Sequence, residues 1–355
     1  MKPETIVFAS ALSFTISLLG SLFVMRFFPK WRIIDNPQKY GHQRNPIPLP
    51  GSVFIIPTFV VISLIFLPFS KHLLALTLGA IIMYLVAFID DRKGLPATFR
   101  LMIQVTLGLL VVACGIGIDV ITSPIGGYLN LSKYEINIPI GDIFYQITIL
   151  ADLFTIIWIV LMINTLNWLD GVVGLSASSS MLSALAIGFL SISDRVNQTE
   201  MGFLSFVFAF SILGFLIFNI HPPKMLLGDT GAMPMGFTLA VLSIFSGGKI
   251  ATAFITLAIP LLDAFYVISS RLLKGQKPWK GQDKAHLHDR LLILGANERH
   301  IFYGFFATSS ILGIYTLFLD TLGKGILILS VFAAYFLMRF LIERKIKILQ
   351  NKAND

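Results

Sequence analysis

Charge is what this chain has least of. Only 13% of its 355 residues are Asp, Glu, Lys or Arg, against about 25% in an ordinary soluble domain, and that shortage excludes a water-soluble globule. Cys114 is the one cysteine, so no disulfide can form within the chain; set in an apolar run, it reads as a packing residue. No internal repeat is evident, which counts against the inverted-repeat plan of secondary transporters and flippases. A cleavable leader is not expected either. The first apolar run is long, its basic residues follow it, and no small-x-small site stands out.

What the chain has instead is apolar length. Apolar side chains make up 55% of it and aromatic ones 12%, gathered in runs of roughly 17–25 residues, each enough to cross about 30 Å of hydrocarbon as a helix. Eleven such runs lie near 5–28, 51–68, 73–89, 101–118, 148–164, 176–193, 202–220, 232–247, 250–268, 301–319 and 324–342. The net charge of +8 does not point to nucleic acid, because the basic residues crowd into alternate loops. Of 27 Lys and Arg, one set of loops holds only Lys2, Lys71, Lys133, Arg195, Lys249 and Lys324. The positive-inside bias puts the richer set in the cytosol. The expectation is an all-α integral membrane protein, one polytopic domain over 1–355, with about eleven transmembrane helices, the N-terminus outside and the C-terminus cytosolic. Its inner loops fall near 29–50, 90–100, 164–175, 221–231 and 269–300, with a tail over 343–355. In the outer segment 119–147, Gly126-Gly127 precedes the alternating stretches Tyr128 to Leu131 and Glu135 to Ile140, which predict a small outer β-hairpin.

Acids beside a bilayer are costly unless paired, metal-bound or hydrated, which makes them functional candidates. The inner loops carry five polar clusters. Asp90-Asp91 sets two carboxylates side by side, whose repulsion a divalent cation or a basic partner relieves; a solvated helix end balanced by Arg92 and Lys93 is the plainer reading. In the stretch Asn164 to Leu175, Asn164, Asn167 and Asp170 recur every third residue and form one polar stripe on a helix, suited to a hydrated cation and a polar ligand. Capping explains Asp170 alone. Gly228-Asp229-Thr230-Gly231 either frees backbone amides for a phosphate beside a metal-holding acid or merely starts a helix. Asp263, between Pro260 and Arg271, reads first as half of an ion pair. His286, His288 and Arg290, with Asp283 and Asp289 nearby, fit anionic phosphates better than zinc, for which no Cys ligand is at hand. Asp152 is expected near the outer face. Together these groups make an inventory for metal-assisted phosphoryl transfer at one membrane face.

The ordered set DD, NxxNxxDGxxGL, GDTGA, PxxDx7R and HxHxRL, from Asp90 to Leu291, resembles that of the polyprenyl-phosphate N-acetylhexosamine-1-phosphate transferases, over about 35 to 300. The resemblance implies a bacterial plasma-membrane enzyme with a cytosolic site. It implies transfer of a sugar 1-phosphate, from N-acetylglucosamine or a related N-acetylhexosamine, out of a UDP-sugar onto undecaprenyl phosphate, with UMP leaving and Mg2+ (or Mn2+) required. By the same resemblance Asp90, Asp91, Asp170 and Asp229 are catalytic. Asp229 is a metal ligand, with Asp90 and Asp91 at the metal and the lipid phosphate. Asn164, Asn167, Asp170 and Asn219 hold the nucleotide, and His286, His288 and Arg290 the diphosphate or sugar. Arg100 and Gln104 match basic and amide positions of relatives. Substrates and membrane lipid are the partners implied, with a homodimer left open.

The final-loop pattern is similar to the branch that initiates O-antigen, teichoic-acid and capsule-type polymers, and lacks the triple-His run of the phospho-MurNAc-pentapeptide translocases, the alternative within the family. Four positions depart from the pattern: Val173 in place of a second Asp, Leu226 in place of an aromatic, Tyr40-Gly41-His42-Gln43 in place of Arg-Lys-x-His, and Asp289 in place of a third His. Direct attack by the lipid phosphate and attack through a phospho-aspartyl intermediate are both open. The block of residues that marks CDP-alcohol phosphatidyltransferases is absent.

Overall fold

The computed structural model describes residues 1–40, 45–123, 127–133, 135–140, 143–245, 250–278 and 284–354. Gly41, His42, Gln43, Gly126 and Asp283, singled out above, lie outside them. Helices dominate: α1 (Pro3–Phe27), α2 (Ile55–Phe66), α3 (Lys71–Lys93), α4 (Ala97–Ala113), α5 (Ile149–Leu169), α6 (Leu175–Ile192), α7 (Thr199–Asn219), α8 (Asp229–Ile244), α9 (Ile250–Thr256), α10 (Ala258–Leu273), α11 (Leu287–Ile293), α12 (Glu298–Phe318) and α13 (Thr321–Asn354). Every apolar run of the sequence carries a helix. Seven are long and apolar enough to cross a membrane, or eight with a bent pair. The expected eleven spans include α2, α4 and α8, with 12, 17 and 16 residues, short of the roughly 20 a lone span needs.

Large apolar side chains such as Phe8, Ile65, Phe318 and Leu329 stand exposed on the outside of the bundle. That belt, and the length of the apolar helices, mark a multi-pass membrane protein. Inside, every residue from Thr230 to Ile244 of α8 is buried. Its jacket includes α3 and α5, brought close by glycines: a Cβ on Gly79 would sit 2.2 Å from the Phe237 ring, and one on Gly236 would sit 2.5 Å from the Ile163 Cα. Lipid tails are as apolar as leucine, so association within a bilayer relies on such close packing and on hydrogen bonds between helices. Helices α1 and α7 use both. Ser13 and Ser17 donate to the carbonyls of Val207 and Ser211 at 2.8 and 2.6 Å, and Gly214 lies against the α1 backbone.

The structure revises two expectations. The run 250–268 is not one straight span, since α9 and α10 meet at 85°. Pro260 has no N–H for the Thr256 carbonyl and its ring crowds that turn. In the outer segment, the two alternating stretches do not pair with each other. Tyr128–Asn130 (β2) pairs with Val120–Thr122 (β1), and Glu135–Ile140 (β3) pairs with Ile143–Thr148 (β4), both antiparallel. Asp152 follows β4 in the first turn of α5, where it accepts from the Thr148 amide and hydroxyl at 2.9 Å. It lies at the opposite end of α5 from Asp170, as its expected place near the far face requires.

Candidate functional site

The acids of the inner loops meet at one end of the bundle, on chain segments far apart in sequence. Asp90 and Asp91 fall in the last turn of α3, which stops at Gly94 in the left-handed region (φ 68°). Asp90 is buried. One of its oxygens accepts from the Leu95 amide, and the other takes Arg100 Nη1 at 2.7 Å. The same Arg100 nitrogen lies 3.3 Å from an Asp229 oxygen, so one guanidinium bridges two carboxylates.

Asp91 does something different. Its oxygens accept from the amides of Asp229 and Thr230, both at 2.9 Å, and from the Thr230 hydroxyl at 2.6 Å. It therefore caps α8 from another helix, satisfying amides that the chain before α8 leaves unpaired. Gly228 must be glycine for this. Its φ is +75°, and a Cβ there would stand 2.7 Å from the Asp91 carboxylate.

Asp170 follows α5 and accepts a hydrogen bond from the Gly228 amide. Burial first, then the charges of Asp229 and Asp91, push its carboxyl well above the usual range. Asp91, Asp170 and Asp229 line a cavity of about 640 Å³, with Asp35, Asn219, His221 and Glu298 also in its wall. Asn219 is buried. Its Nδ2 donates to the Met225 carbonyl at 3.0 Å, while its Oδ1 accepts no hydrogen bond among the described residues. Val173 and Leu226, two of the departures from the family pattern, line the same space.

The stripe on α5 divides. Asn164 turns to α4 and donates to Gln104 Oε1 at 2.6 Å. Asn167 lends its carbonyl to the Asp170 amide, and neither of these two amide side chains lines the cavity. The His loop stands next door. His286 stacks parallel to His288, 5.8 Å apart, and a Cβ on Gly171 would meet His288 Nε2 at 2.5 Å. Gly171 lines the cavity, so His288 packs behind its wall. Burial, and then the neighbouring His286, lower the His288 pKa, which leaves the ring neutral near pH 7. Arg290 faces Glu343 of α13 at 3.4 Å. Asp263 is more than half of an ion pair: it accepts from His286 Nδ1, the Leu287 amide and the Tyr335 hydroxyl at 2.8 to 2.9 Å.

Three wall residues have weak sequence signals. Asp35 and Glu298 are isolated acids in basic loops, and His221 sits in a His-Pro-Pro turn. Tyr335, Arg339 and Glu343 did carry a signal, a polar ladder every fourth residue in an otherwise apolar helix.

Among the described residues, no three His, Cys, Asp or Glu side chains converge as a closed metal cage. Mg2+ is commonly bound by only one or two carboxylates together with substrate phosphates, so an open cavity wall could still serve it. Asp170 and Asp229, which line the cavity and repel each other, could hold such an ion. Asp91, expected at the metal, also lines the cavity but gives both oxygens to the start of α8; Asp90, expected there too, engages Leu95 and Arg100, and Arg100 also reaches Asp229.

One family model and several known proteins resemble this chain. The sequence model of glycosyl transferase family 4 matches residues 73–247. A probable undecaprenyl-phosphate N-acetylglucosaminyl 1-phosphate transferase of Bacillus subtilis is 30% identical over 300 residues, covering 81% of this chain and 78% of that protein. A phospho-N-acetylmuramoyl-pentapeptide-transferase of Caldanaerobacter subterraneus is 25% identical over 333 residues, 87% of this chain and 96% of that one. A decaprenyl-phosphate N-acetylglucosaminephosphotransferase of Mycobacterium tuberculosis is 29% identical over 274 residues, 71% and 64% of the two chains.

Proposed function

The chain belongs to glycosyl transferase family 4, and from that membership and the cavity's chemistry we propose that it transfers a sugar 1-phosphate, N-acetylglucosamine 1-phosphate or a close relative, from a UDP-sugar to undecaprenyl phosphate. A lipid phosphate oxygen attacks the sugar-linked phosphorus, the bond from that phosphorus to the bridging oxygen breaks, and UMP leaves with the electron pair. One observation carries the reading: Asp91, Asp170 and Asp229, from three distant segments, share the wall of one cavity of about 640 Å³ where the loops between apolar helices converge.

The residues divide the work by what they touch. Arg100 holds Asp90 and Asp229 in register and keeps positive charge beside the phosphates. Asp91 fixes the start of α8 and with it the place of Asp229. Asn219, with an unpaired buried Oδ1 in the wall, offers an acceptor to the nucleotide's N–H groups. The His286 and His288 rings behind Gly171 are assigned to the sugar and diphosphate side. Mg2+ or Mn2+, when bound, would be held by Asp229 and Asp170 and would offset the charge that gathers on departing UMP. The basic loops support a cytosolic position for this end of the bundle, in the plasma membrane of a bacterium, where the donor is soluble and the acceptor lies in the membrane.

The test is direct. Purified protein is given undecaprenyl phosphate, MgCl2 and, in separate reactions, UDP-N-acetylglucosamine, UDP-N-acetylgalactosamine and the UDP-MurNAc-pentapeptide, and UMP is followed. Lipid-dependent UMP from an N-acetylhexosamine donor is expected. Release from the pentapeptide donor alone would move the chain to the translocase branch, and none from any donor would overturn the reading.

A further inference from the structure

We propose that the C-terminal helix is part of the donor site: Tyr335, Arg339 and Glu343 are positioning residues that set His286 and Arg290. This rests on the sugar-nucleotide reading above. Most of α13 is exposed to its surroundings, with only 17% of its apolar window buried. Yet Tyr335 and Arg339 are each only 2% exposed. Spaced by four, Tyr335, Arg339 and Glu343 share one face of the helix.

A buried guanidinium in an apolar helix is costly unless it is well partnered. Arg339 is held mainly through Nη2, which meets Glu343 at 3.0 Å and donates to the Ala285 carbonyl. Nη1 faces Asp263 at 3.7 Å and the guanidinium lies 4.6 Å from the centre of the Tyr266 ring, while Nε and Nη1 make no hydrogen bond among the described residues. Two of these partners lead to the donor-side loop. Glu343 also faces Arg290. Ala285 is the residue before His286, so the guanidinium holds the loop by its backbone.

Asp263 is the second link. Its carboxylate accepts from the Tyr335 hydroxyl, the Leu287 amide and His286 Nδ1. These three contacts fix where the His286 ring stands and how it is turned. His286 lies parallel to His288, and His288 closes on Gly171 in the cavity wall. Contacts therefore run without a gap from α13 through Asp263 and the two imidazoles to the cavity. None of the three α13 side chains lines that cavity, so they act through His286 and Arg290. Replacing a purely structural buried ion pair with packed apolar groups is often neutral or stabilising; a positioning role predicts lost activity in a protein that stays folded.

The experiment is a double-mutant cycle on the full-length protein with UDP-N-acetylglucosamine, undecaprenyl phosphate and MgCl2. Tyr335→Phe removes one hydroxyl and is expected to lower kcat/KM for the UDP-sugar about tenfold, the usual weight of a hydrogen bond to a charged group. The KM for undecaprenyl phosphate should stay unchanged, and any fall in melting temperature should be the same in the His286→Gln background. In a His286→Gln background, Tyr335→Phe should cost nothing further, because its effect passes through that imidazole. Arg339→Met should raise the KM for the UDP-sugar, and Arg339→Lys should recover part of the loss. Additive losses, or an equal fall for both substrates together with a lower melting temperature, would reduce α13 to a structural brace and overturn the inference alone. A wild-type protein without lipid-dependent UMP release would overturn the function and this inference with it.

Discussion

The carboxylate of Asp91 lies 2.9 Å from the backbone amide of Asp229, so one acid of the site holds another in place. Adjacent in sequence to Asp90, it is separated from it in task. Asp90 engages Arg100, while Asp91 closes the open end of α8. Two neighbouring acids should therefore respond differently to the same substitutions.

Asp91→Ala leaves the first amides of α8 without an acceptor. Loss of a cap costs about 1 kcal/mol, and here it also loosens Asp229. Asp91→Asn keeps an acceptor oxygen. Thermal unfolding in detergent should rank the melting temperatures wild type, Asp91→Asn, Asp91→Ala, from high to low. Equal values for the two variants would remove the capping role.

Asp229→Asn separates activity from stability. It deletes one of the carboxylates lining the cavity, which relieves repulsion on Asp170. UMP release should fall by about 100-fold or more, the weight of a group that stabilises developing charge. The melting temperature without divalent cation should be equal to or above wild type, as sites held under repulsion usually show. A variant that loses both would be merely misfolded.

Asp170 gives the pH prediction. Its carboxyl is raised by burial and by Asp229 and Asp91, so the folded protein binds that proton more tightly than the unfolded chain. Stability must then fall as pH rises from about 4, the ordinary aspartate value, up to the raised folded value. The melting temperature of Asp170→Asn, measured across that window without divalent cation, should fall less steeply with pH than that of wild type. Parallel curves would contradict the shift.

Gly171 and Gly304 form a matched pair. A Cβ on Gly171 would meet His288 Nε2 at 2.5 Å, whereas nothing lies within 4 Å of one on Gly304. Gly171→Ala must push the imidazole aside, and small misplacements near a reacting centre cost up to about 100-fold. The kcat/KM of Gly171→Ala should fall at least about tenfold. Gly304→Ala, in the middle of α12, should leave activity unchanged and gain about 0.5–1 kcal/mol of stability.

Much of the site could be read from sequence because acids in an apolar chain stand out. Asp90, Asp91, Asp170 and Asp229 were all identifiable as unexplained charge, and the structure brings them together. Their division of labour was not legible. Whether a carboxylate meets a guanidinium or a helix end depends on tertiary neighbours, and Arg100 and α8 are distant from Asp90 and Asp91 in different ways. Arg290 shows the same limit. Its type fits phosphate, but its partner Glu343 is 53 positions away, at the start of a stretch that reads as a tail. The elbow between α9 and α10 was within reach, since Pro260 marks it; hydropathy alone joined the two helices into one run. The outer strands followed their alternation, and short alternating stretches do not specify their partners.

The jacket around α8 has a further consequence. At 16 residues this helix is about 24 Å long, shorter than the hydrocarbon, and no part of it from Thr230 to Ile244 faces outward. Its vertical position answers to protein neighbours instead of acyl chains. Thinner or thicker membranes would tilt the outer helices while the carboxylate at its head kept its depth, so turnover in vesicles should be insensitive to acyl-chain length.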